Sequence, residues 1–133
     1  GYAAVSFGHP PSLAAFSKTR KGEVSEALAY ALMGRIEAVV PVLPVPLVAS
    51  VIEDAKAPMS RAAIETAVGE RIALLDKAHV HLPRDDMAYA IEVGLRTLTE
   101  RKMVLKVAGC YSVNPEQKTA LAFYANSIRH LLR

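Results

Sequence analysis

The sequence predicts a mainly α-helical fold: a helical bundle with a winged-helix-like helix-helix-hairpin segment and one orphan strand at the N-terminal end. Three observations carry this. Apolar residues recur at helical spacing through most of the chain. Gly and Pro gather between those stretches instead of being scattered through them. Only residues 2–7 and 103–113 read like strands. With 133 residues, 52% of them apolar, the chain is long enough for one core that buries roughly two-thirds of its unfolded surface.

Tyr2–Phe7, YAAVSF, is a short β-compatible run ended by Gly8 and the turn-forming His9-Pro10-Pro11. It has no strand neighbour nearby, so it either pairs about a hundred residues downstream or belongs to a sheet that is absent. Residues 12–21 form an apolar piece with a basic tip. Val24, Ala27, Leu28, Ala31, Leu32 and Ile36 then give helical periodicity over about 23–39. Pro41 ends that helix. The next begins at Pro44 or Pro46, either of which sits in a first turn without losing a hydrogen bond, and runs to about 54.

Lys56-Ala57-Pro58-Met59 is a turn, and Ser60 is placed to cap a helix over 60–76 that carries Ile64, Val68, Ile72 and Leu75 on one stripe. After the loop AHVHLPRDD, a helix over 86–102 turns Met87, Ile91, Gly94, Leu95 and Leu98 inward. Met103–Val107 and Cys110–Val113 make a hairpin around Ala108-Gly109. Asn114-Pro115-Glu116-Gln117 starts the last helix, with Asn as cap and Pro first.

Helix 60–76, helix 86–102 and hairpin 103–113 occur in winged-helix order, a shape often used to read DNA. Here the second helix would lead with Asp85 and Asp86, which repel phosphates. The formal charge of +3, from 16 basic and 13 acidic residues without a like-charged block, also gives no reason to expect nucleic acid. Cys110 is the only cysteine, so no internal disulfide forms, and the N-terminus lacks the order of a secretory signal. A cytoplasmic setting is expected. The run AVVPVLPVPLVASVI, residues 38–52, is too short and too interrupted by proline to span a bilayer; it is expected to be a docking surface.

The most suggestive spacing is His81-x-x-x-x-Asp86 in HVHLPRDDMAYA. An imidazole oriented by a carboxylate can remove a hydroxyl proton. Spacing alone carries little weight, and Asp86 has a structural use at a helix start, where a carboxylate meets free N–H groups. His79 and His81 share one face of an extended segment, yet no third metal ligand stands at a diagnostic distance in sequence. Cys110 reads as a plain hairpin thiol. Lys18, Arg20 and Lys21 read as a solvated basic tip, with phosphate, carrier protein or lipid headgroups as the functional alternative. Tyr124 reads as a packed ring with a bonded hydroxyl.

The stretch ALAFYANSIRHLL, 120–132, resembles the tail of bacterial glycerol-3-phosphate acyltransferases, its YxNxIxH-like pattern carried by Tyr124, Asn126, Ile128 and His130. VSFGHPPSL at 5–13, LMGRIEAVVPVLPVPLVASVI at 32–52, MSRAAIE at 59–65 and AIEVGLRTLTERKMV at 90–104 resemble the same family in the same order. The resemblance implies that residues 1–22 are the end of the catalytic domain and 23–133 a helical C-terminal domain. It implies a parent enzyme that moves a fatty acyl group from acyl-CoA or acyl carrier protein to glycerol 3-phosphate at the inner membrane face, without cofactor or metal. The family's own His-x-x-x-x-Asp and Pro-Glu-Gly segments lie upstream of the matching strand, so no catalytic, cofactor-binding or metal residue carries over, and the chain alone is expected to be inactive. Its partners would be the parent's catalytic domain and the membrane surface. The rival reading is a stand-alone winged-helix interaction or regulatory module.

Overall fold

A computed structural model describes residues 3–20, 22–76 and 79–133. It has six α-helices, α1 Leu13–Lys18, α2 Val24–Glu37, α3 Pro44–Asp54, α4 Arg61–Leu74, α5 Met87–Glu100 and α6 Lys118–Arg129. Three short strands, β1 Met59–Ser60, β2 Val104–Val107 and β3 Cys110–Val113, form an antiparallel sheet in the order β1-β3-β2. The chain divides into two compact units: Val5–Val40 is one, and 1–4 with 41–133 is the other.

The larger unit is built around α3. Pro44 occupies its first turn, where a missing N–H costs nothing and the fixed φ suits a helix. Leu47 to Ile52 are then all buried, as expected of a helix that is apolar on every side. Helices α4, α5 and α6 surround it, contributing Ile64, Val68, Ile91, Leu98, Leu121 and Ile128, none more than 1% exposed. Each such side chain stabilises the fold by about 1.5–3 kcal/mol through burial. Ser50, the buried polar residue on α3, donates its hydroxyl to the Leu47 carbonyl at 2.8 Å, so its burial leaves no unmet hydrogen bond.

This burial corrects the expectation that 38–52 is a docking surface. Six uncharged, mostly branched side chains in a row, Leu47 to Ile52, serve a core as well as an interface, and here α4, α5 and α6 already cover them. Gly94 explains how closely the helices approach: a Cβ there would lie 2.7 Å from Val48 Cγ2 and 2.9 Å from the Pro44 carbonyl oxygen.

Ser60 caps α4 as expected, its hydroxyl accepting from the Ala63 N–H at 3.2 Å. Met59 and Ser60, read as turn and cap, also pair with Tyr111 and Cys110 to add a third strand to the hairpin. The hairpin turns through Ala108 (φ 50°) and Gly109 (φ 77°), the two positive-φ positions that such a turn requires. Asn114 caps a short 3-10 turn, Pro115–Gln117, and α6 starts only at Lys118.

The expected strand at 2–7 is not formed: Ala3–Phe7 carries no strand, and Tyr2 lies outside the described residues. A strand exists by its ladder of hydrogen bonds, and the small sheet takes β1 as its third member instead. In the unit Val5–Val40, Ser12 caps α1 through an acceptor bond from Ala15 N, and Arg35 donates to the His9 carbonyl at 3.0 Å. Neither α1 nor α2 has a buried residue.

Candidate functional site

The two units differ in what they do with apolar side chains. Within 41–133 the large apolar residues mostly close a core. Within 5–40 they face outward: Phe7 is 91% and Tyr30 73% exposed, and Val5, Leu13, Leu32, Met33 and Ile36 are exposed too. Scattered surface leucines need no explanation, but this segment exposes its large apolar residues without burying any. Val24, Leu28 and Leu32, spaced by four, lie on one side of α2, where they line a cleft with Leu13. Ile36 continues that series, whereas Tyr30 and Met33, spaced by three, lie on another side. A helix with apolar residues on more than one side is suited to enclosure by protein. Lying flat on a bilayer needs one apolar face against one charged face.

Asp86 is the N-cap of α5, its carboxylate accepting from the Tyr89 N–H at 3.1 Å. His81 is exposed, and among the described residues no hydrogen bond or ion pair joins it to Asp86. The segment before it is tied down by its backbone. The Val42 N–H donates to the His79 carbonyl at 2.7 Å and the His81 N–H to the Val42 carbonyl at 3.1 Å. Arg84 and Asp85 adopt positive φ, 60° and 51°, and the Arg84 guanidinium lies over the Tyr89 ring, 4.3 Å from its centroid. The stretch therefore forms a pinned turn into α5. Among the described residues no three His, Cys, Asp or Glu side chains cluster as metal ligands.

Cys110 is a half-buried free thiol on β3. Lys18 and Arg20 are exposed, with Arg20 over the Phe16 ring; Lys21 lies outside the described residues. The tail pattern has visible structural uses. Tyr124 packs edge-on to Phe123 and its hydroxyl accepts from Arg101 Nη1 at 2.6 Å. Asn126 Oδ1 accepts from Arg129 Nε at 2.9 Å, and Ile128 is fully buried. Arg129, held in this way, pairs with Glu53 and Asp54 on α3, and Arg71 of α4 joins it on Asp54. Partial burial pushes the Asp54 carboxyl up, but the hydrogen bonds and charges of Arg71 and Arg129 outweigh it and hold it below its usual value. Arg61 likewise binds Glu65 and Glu92, and its hydrogen bond holds the Glu92 carboxyl below the usual value. These pairs join the helices of the larger unit.

Sequence reasoning missed the outward-facing apolar set of 5–40. Its signal was present, in apolar residues on all sides of 24–37. Among the described residues no helix is long and apolar enough to cross a membrane. The family model for the glycerol-3-phosphate acyltransferase C-terminal region matches residues 1–133. No curated protein and no solved structure matches.

Proposed function

Since this chain belongs to the glycerol-3-phosphate acyltransferase C-terminal region family, we propose that it is the structural docking module of such an enzyme and carries none of its catalytic groups. The parent enzyme moves an acyl group from acyl-CoA or acyl carrier protein to glycerol 3-phosphate at the inner membrane face. Residues 1–22 end the parent's catalytic domain and 23–133 form its helical extension. The catalytic domain is the partner of this module, and the observation that supports this is that α2 leaves Tyr30, Leu32, Met33 and Ile36 exposed, whereas 41–133 closes its own core. In this reading the docking surface is α2, in place of 38–52.

The test is acyl transfer by the full-length enzyme carrying Tyr30→Ser, Met33→Ser and Ile36→Ser together. Activity should fall at least tenfold, while the same changes in the 133-residue chain leave its melting midpoint within a degree or two. Wild-type activity in the triple variant would remove the docking role.

A second reading has one specific observation behind it. Two helices lie between β1 and the β2-β3 hairpin, and the strand order is β1-β3-β2, which suits a winged-helix-like interaction module. Salt-dependent binding to duplex DNA would favour it; no binding at low salt would limit it to protein partners.

A further inference from the structure

A cleft of about 230 Å³ opens at the start of α3, between that helix, α5 and α6. Leu43, Pro44, Pro46 and Val93 form apolar walls, and Arg101 and Tyr124 stand in its lining. Arg101 is exposed and uses one donor on the Tyr124 hydroxyl. Among the described residues no carboxylate pairs with it, in contrast to Arg61, Arg71 and Arg129. A neutral hydroxyl leaves the guanidinium charge uncompensated and its remaining N–H groups free for a planar two-oxygen acceptor. The Tyr124 hydroxyl, having accepted from Arg101, keeps its own proton to donate.

We propose that this cleft binds a linear alkyl carboxylate, with the head group on Arg101 and Tyr124 and the chain along Leu43, Pro44, Pro46 and Val93. The charge selects an anion, and the walls offer its chain no hydrogen-bonding side chain other than Thr97. The cavity is smaller than the roughly 300–1,000 Å³ of drug-sized sites, so it accommodates a short chain or the head-group end of a longer one. This site draws only on residues of 41–133 and stands independently of the docking role.

The experiment is an NMR titration of the ¹⁵N-labelled 133-residue chain with octanoate, and in parallel with acetate and octyltrimethylammonium. Octanoate should shift the amides of Val45, Val93 and Thr97 saturably. Acetate should bind at least tenfold more weakly, and the cationic amphiphile should leave these amides unmoved. Arg101→Gln should weaken octanoate at least tenfold and Tyr124→Phe severalfold, with the thermal midpoint of Arg101→Gln unchanged. Shifts scattered over the surface, equal shifts from the cation, no octanoate binding, or full binding by Arg101→Gln would each overturn the assignment.

Discussion

Lys102 ends α5 in the left-handed region, φ 57°, where L side chains pay a steric penalty and glycine does not. The Met103 N–H bonds the Leu98 carbonyl and the Lys102 N–H the Thr99 carbonyl, both at 2.9 Å, the double closure typical of a helix ending in this conformation. Asn114 Nδ2 also donates to the Lys102 carbonyl at 2.6 Å, so the strained residue is held from both sides. Lys102→Gly should stabilise the chain by up to about 1 kcal/mol, the steric relief exceeding the added unfolded-state entropy; thermal melting checks it. Gly94 is the opposite case. Gly94→Ala places a methyl group against Val48 and the Pro44 carbonyl, and overpacking of this kind costs about 1–3 kcal/mol. Chemical denaturation should show a lower midpoint, and an unchanged midpoint would mean that α3 and α5 separate freely.

At the scale of elements, the prolines at 41, 44 and 46 and the caps Ser60 and Asp86 were readable because each acts through its immediate neighbours. The end of α5 was not. It stops at Glu100 where periodicity continued to 102, because a lysine does the work usually done by glycine and gives no sequence signal. β1 was invisible for a different reason: two residues become a strand only when Tyr111 and Cys110 arrive from fifty positions away. The apolar run 38–52 gave the right composition and the wrong destination, since sequence does not say which helix will lie at the centre.

The ion pairs between α3, α4 and α6 carry a pH prediction. The Asp54 carboxyl is held below its usual value in the folded chain, so its contribution is fully present above the unfolded value and is lost as pH falls through the folded one. Asp54→Asn should therefore lower stability near neutral pH and flatten its loss on acidification below about pH 4. Because the side chain is 41% exposed, solvent screens the effect. Melting curves across pH 2–6 would show it, and parallel wild-type and variant profiles would contradict it.

For the molecule as a whole, the family and the helical class were legible from blocks spread along the chain, whereas the functional surface was not. His81 and Asp86 drew attention through spacing, but the fold uses Asp86 as a cap. Phe7, Tyr30, Met33 and Ile36 are ordinary core-type residues in the sequence, and only their exposure distinguishes them. A helix such as α2, in which no residue is fully buried, opens at low free-energy cost. Enclosure in a larger enzyme would raise that cost.

Amide hydrogen exchange of α2, compared between the 133-residue chain and the full-length acyltransferase, tests the docking role most directly. Docking predicts rapid exchange over 24–37 in the chain alone and at least tenfold slower exchange in the full-length enzyme, with α3 protected in both. Equal exchange of α2 in the two proteins would contradict it.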